Sequence, residues 1–128
     1  MLNALLVGIG GFIGSLCRYL VTGLVYRGIL FADFPYATLI VNVTGCFFFG
    51  VLHGIFETRQ VLVPELRVFL FIGVLGGFTT FSTFGFETFV LARDREFLKV
   101  LGNIFSHILL GLGAVWAGTN LVSGVLQK

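Results

Sequence analysis

Charge is what this sequence most lacks. Asp, Glu, Lys and Arg make up 11% of its 128 residues, against roughly 25% in a soluble domain, and the mean hydropathy is +1.04. That leaves no room for a water-facing domain. With two prolines and no Ser- or Gln-rich run, nothing reads as a linker or a disordered segment. The two cysteines, Cys17 and Cys46, lie inside apolar stretches without metal-ligand spacing. They are expected to be free thiols acting as small hydrophobes. No cluster of His, Cys and carboxylates is spaced for a metal, and no Ser/His/Asp or Cys/His set is spaced for nucleophilic attack. No glycine-rich phosphate cradle follows a strand. An enzyme is therefore not expected, and a net charge of +2 does not point to nucleic acid.

What is present is long apolar runs. A helix needs about 20 apolar residues to cross a bilayer. Four segments qualify: Leu2 to Tyr26, Tyr36 to Phe56, Leu66 to Ala92 and Phe97 to Leu126. Residues 1–128 then read as a single all-α transmembrane domain of four helices. The first run has no basic stretch before it and exceeds the roughly 7–15 apolar residues of a secretory leader, so it reads as a span. Gly10-xxx-Gly14 and Gly50-xxx-Gly54 allow close helix approach.

The connections carry nearly all the charge. With four spans, both ends share a side with the second connection. That side holds Arg59, Arg67 and Lys128, and the other holds Arg27, Arg93, Arg95 and Lys99. So even a distribution gives the positive-inside rule no lever. Insertion in both orientations is expected, and an antiparallel homodimer is permitted.

The third run is interrupted by Gly76-Gly77-Phe78-Thr79-Thr80-Phe81-Ser82-Thr83-Phe84. Lipid offers no hydrogen-bond partner, so backbone that leaves the ladder there must be buried in protein or line a wet cavity. Broken helices of this kind hold ions in many transporters. Gly76 and Gly77 permit non-helical dihedrals, and Thr79, Thr80, Ser82 and Thr83 offer hydroxyls to loose backbone or to an ion. Phe81 and Phe84, spaced i, i+3, share a face. A ring edge carries partial positive charge and is a weak, non-protonating partner for an anion.

Other polar residues stand inside the runs. Asn42, one turn after Thr38, reads either as a donor to a passing anion or as a clamp between helices. Arg18 is permanently charged and reads as the mouth of an anion path or as an anchor. Glu87 either pairs with a cation or faces an aqueous vestibule. Asn103, His107 and Gly111 fall at i, i+4 and i+8, a polar stripe with a gap at Gly111 and Ser106 beside it.

Four motifs in this order resemble the Fluc/CrcB family of bacterial fluoride channels. They are Gly11-Phe12-Ile13-Gly14-Ser15-Leu16-Cys17-Arg18-Tyr19, Thr38-Leu39-Ile40-Val41-Asn42, the Gly76–Phe84 segment, and Glu87-Thr88. The resemblance covers the whole chain. It implies a multi-pass protein of the inner membrane that forms an antiparallel, dual-topology homodimer with two pores and passes fluoride passively. By position it implies that Asn42 hydrogen-bonds fluoride, with Thr38, Ser82, Thr83, Asn103 and His107 along the path. It also implies that the edges of Phe81 and Phe84 face the ion and that Arg18 and Glu87 flank the vestibules. The carbonyls of Gly76 and Thr79 would hold a structural sodium that is not transported. Relatives often carry hydroxyl residues where Asn103, His107 and Gly111 stand here, so this stripe is a departure.

Two other classes fit four spans. A small drug/proton antiporter needs a titratable carboxylate in the first span, and residues 2–26 contain none. A non-transporting scaffold would use the same polar residues as interhelical glue.

The charge count has a direct test. A reporter fused to the C-terminus is expected on both sides of the membrane in comparable amounts. A single sidedness removes the dual-topology reading.

Overall fold

The computed structural model describes residues 1–28, 33–59 and 63–126. Of the charges counted above, Lys128 lies outside the described residues. Among those described, the regular structure is all helical. α1 (Leu2–Gly28), α2 (Tyr36–Arg59) and α6 (Phe97–Leu126) are continuous. The third span is composite: α3 (Pro64–Arg67), a π-helical segment (Val68–Leu75), α4 (Gly76–Phe78) and α5 (Phe81–Arg93). Four stretches are long and apolar enough to cross a membrane: Leu2–Gly28, Tyr36–Glu57, Pro64–Arg93 and Phe97–Gly124. Each expected run therefore becomes a helix. Pro64 opens the third at the position where a missing N–H costs least.

The outward faces are oily. Phe12 is 68% exposed, Leu112 68% and Trp116 70%, exposure that lipid tolerates and water does not. The interior is built from small residues. α2 packs chiefly on α6, and α1 on the π-helical segment and α4. Gly50 sits against the Val115 backbone and Gly118 against that of Phe47, so α2 and α6 cross backbone to backbone. A Cβ on Gly10 would lie 2.7 Å from Phe69 O. Aromatic rings fill the cleft between α2 and the π-helical segment. Phe71 meets Phe49 edge-on at 4.6 Å and Phe56 at 5.3 Å, with the Arg67 guanidinium 5.9 Å from the Phe71 ring.

The double glycine behaves differently from expectation. Gly76 is helical, with φ −64° and ψ −36°. The residues that leave the helix are Thr79 (φ −78°, ψ 160°) and Thr80 (φ −150°, ψ 108°). Gly77 serves close approach instead of backbone freedom. A Cβ there would lie 2.6 Å from Gly11 O and 2.9 Å from Gly11 Cα, so α1 and α4 approach this closely because Gly77 has no side chain.

α5 and α6 are joined by a tight reversal. Arg95 takes φ 62°, its N–H bonds Ala92 O at 3.1 Å, and the Glu96 N–H bonds Leu91 O at 2.9 Å. This Schellman arrangement satisfies the last carbonyls of α5 and turns the chain back at once.

The contact at Gly77 predicts an asymmetric response to alanine. Gly77→Ala is expected to lose about 1–3 kcal/mol, the usual range for overpacking against immovable backbone. Gly113→Ala, where nothing lies within 4 Å, should keep or raise stability. Thermal unfolding of the purified proteins in detergent checks both, and equal melting temperatures for Gly77→Ala and the parent would contradict the packing.

Candidate functional site

The site is assembled around the two extended residues. Thr79 still closes the helical ladder, its N–H and its hydroxyl both bonding Leu75 O at 3.0 Å. The next N–H, of Thr80, would bond Gly76 O in a continued helix. It bonds Asn42 Oδ1 at 2.8 Å instead, while Asn42 Nδ2 donates to Thr80 O at 3.1 Å. A carboxamide presents a donor and an acceptor side by side, the complement of one residue's exposed peptide groups. Asn42 is thus a clamp, and one of its two N–H bonds is left over. Gly45, one turn on, leaves room for the Thr79 methyl.

The other ends are tied as well. Thr80 caps α5, its hydroxyl accepting from the Thr83 N–H at 3.3 Å and lying 2.9 Å from Thr83 Oγ1 and 3.4 Å from Ser82 Oγ. Arg18 reaches across from α1, and its Nη1 donates to Thr79 O at 3.2 Å.

Two cavities flank the interruption, and Thr80 lines both. The larger, about 810 Å³ and open-sided, is lined by Asn42, Cys46, Thr79, Phe81, Phe84 and His107, among others. The Phe81 and Phe84 rings lie 5.6 Å apart at 53°, and Phe84 lies 4.4 Å from the His107 ring. Phe81 is 82% exposed. The smaller cavity, about 360 Å³, is lined by Arg18, Thr38, Thr83 and Glu87, among others. Thr38 donates to Glu87 Oε1 at 2.7 Å, and Glu87 Oε2 is buried without a protein partner. Arg18 and Glu87 share this cavity, yet among the described residues no ion pair joins them.

The stripe on α6 divides. His107 lines the larger cavity. Asn103 is fully buried and lines neither cavity. Its Nδ2 donates to Thr88 Oγ1 at 2.8 Å, and Thr88 donates to Phe84 O at 2.7 Å. Asn103 therefore holds α6 to α5 behind the Phe84 ring. The gap at Gly111 borders α2, and a Cβ there would sit in ordinary contact, 3.6 Å from Cys46 Sγ. Cys17 and Cys46 are free. Ser82 is exposed and lines neither cavity.

Thr80 was among the hydroxyls expected at the interruption, and Thr-x-x-Thr at a helix start is cap spacing. Thr88 and Cys46 were not singled out as site residues, because Asn103 and the cavity that they meet involve other helices.

A family model described as CrcB-like protein, Camphor Resistance (CrcB), matches residues 5–119. The chain belongs to this family. Among similar proteins is the Fluoride-specific ion channel FluC of Methylobacillus flagellatus, 42% identical over 127 residues, 99% of each chain. Another is the Fluoride-specific ion channel FluC 3 of Methanosarcina barkeri, 41% identical over 125 residues, 98% of this chain and 93% of that one. The FluC of Geobacter metallireducens is 44% identical over 119 residues, 92% and 94%. The matched stretch of this CrcB-like chain contains every residue that builds the two cavities.

The clamp predicts that Asn42→Leu, close in size, strands the Thr80 N–H and C=O. Each orphaned group costs roughly 1–3 kcal/mol, so a loss of about 2–4 kcal/mol is expected in thermal unfolding. A loss below about 0.5 kcal/mol would show that the two bonds carry no weight.

Proposed function

We propose that this chain is a fluoride-selective channel, passing the ion by electrodiffusion out of the cell across the inner membrane. The observation that carries the reading is the meeting of Asn42, Thr80, Phe81 and Phe84 on one cavity beside an interrupted helix. The near full-length similarity to channels named for fluoride supports it.

The physical problem is to strip a small, strongly hydrated anion without trapping it. The free N–H of Asn42, the threonine hydroxyls and the edges of Phe81 and Phe84 are weak donors. Together they replace water while leaving exit easy. Among the described residues, no carboxylate that would repel an anion lines this cavity. Arg18 supplies fixed positive charge on the far side of the interruption, where Thr38 occupies one oxygen of Glu87. No bond is made or broken. The membrane potential does the work, about 2.3 kcal/mol per charge per 100 mV.

The reading extends to an antiparallel homodimer. One copy leaves Phe81 exposed on the open-sided cavity and the hydroxyl residues Ser82 and Thr83 exposed beside it in the chain, and hydroxyls facing hydrocarbon are costly. A second copy closes that side, and the balanced charges allow it to be inverted. The fit of a structural sodium is partial within one chain. Gly76 O loses its helical donor when the Thr80 N–H turns to Asn42, and Thr79 O keeps one lone pair beside Arg18. Those are two oxygens of the hard type such a cation takes, and a hard cation takes several, so the second copy must supply the rest. The ion would then hold the two interruptions together.

In proteoliposomes read with a fluoride electrode, the protein is expected to release fluoride and retain chloride. Asn42→Asp, which sets a like charge on the path, should abolish release, and Phe81→Ile should slow it, with both variants first shown to be monodisperse. Unchanged efflux in Asn42→Asp, or equal leakage of chloride by the parent, contradicts the assignment.

A further inference from the structure

His107 has a role that its position alone does not reveal. Its Nδ1 lies 2.9 Å from Asn103 O. A carbonyl only accepts, so Nδ1 carries a hydrogen whatever the charge on the ring. In the neutral ring Nε2 is then a bare lone pair, turned away from the backbone that Nδ1 faces. That atom is buried and has no partner among the described residues, although the ring packs against Phe84 at 4.4 Å on the larger cavity.

Fluoride is acceptor-only. Neutral His107 gives it no attraction. Protonated His107 sets a positive charge on the wall of that cavity, which draws an anion toward it although Nε2 itself is sealed from the open space. Nothing else nearby fixes the charge of the ring. No Asp, Glu, Lys or Arg lines this cavity, whose only other titratable side chain is the Cys46 thiol on α2. Glu87 of α5 lies on the smaller cavity bonded to Thr38, and Arg18 of α1 holds Thr79 O. Elsewhere on α2, His53 faces Glu57, and on α6 Lys99 faces Asp33 and Glu96.

We propose that His107 couples fluoride binding beside Phe84 to the uptake of one proton. This rests on the fluoride reading above. Linkage makes the coupling reciprocal: protonation tightens fluoride, and fluoride holds the proton.

The test uses the full-length protein carrying His53→Gln and ¹⁵N-labelled histidine, so that one imidazole is observed. Near pH 8 the signals should show the Nδ1–H tautomer. At the pH where half of His107 is protonated in sodium chloride, replacing that salt with sodium fluoride should increase the imidazolium signal. It should also draw protons from a weakly buffered solution. Fluoride affinity at about pH 5.5 should exceed that at about pH 8 by fivefold or more, roughly the lower end of ordinary coupling. In His107→Gln, a neutral donor of similar reach, affinity should not follow pH. If His107→Gln does not fold, the single-histidine titration decides alone. A protein that conducts fluoride while its His107 signals ignore the ion overturns the coupling and leaves the channel reading intact. A protein that does not conduct fluoride overturns both.

Discussion

The Asn42 carboxamide meets a requirement that an apolar environment makes absolute. Thr79 and Thr80 leave the helical ladder inside an apolar span, where no water is on hand for loose peptide groups. A side chain that both donates and accepts satisfies the Thr80 N–H and C=O together. The start of α5 depends on that pair of bonds. Once Thr80 is pinned in an extended conformation, its hydroxyl caps the helix, and Phe81 and Phe84 are delivered to one wall of the cavity. Thr79 O is turned to Arg18 by the same geometry.

The surrounding helices form a stiff frame because their glycines let backbones touch. Gly10, Gly14 and Gly77 seat α1 against the third span, and Gly50 and Gly118 seat α2 against α6. Helix association in lipid draws on such packing, since lipid and side chains are equally oily. A frame held this closely keeps Asn42 and Thr80 in register. The side of the site bearing Phe81 is left open.

Much of this was legible in the residues. The four apolar runs became four helices, displaced only at their ends, and the glycine spacings marked real crossings. In the segment after Gly76 the extended residues are the two threonines. Gly76 stays helical, and Gly77 is the glycine that lies against α1. For Asn42 two roles were open. The structure shows the clamp. Asn103 and His107 look equivalent on a helical wheel, yet one is sealed behind Phe84 by Thr88 and the other faces the cavity. The gap expected at Gly111 borders the Cys46 thiol of α2 and still has room for a methyl.

Amino-acid order by itself determined the span count, the all-helical class and the even charge distribution. Hydrophobic length and loop charge are sums over neighbouring residues and need no partner. Which backbone groups leave the ladder, which side chain receives them, and which polar residues see a cavity were decided only by tertiary structure. Hydrogen bonds are short and directional, and the bond that matters most here joins residues 38 positions apart. No local pattern carries that information.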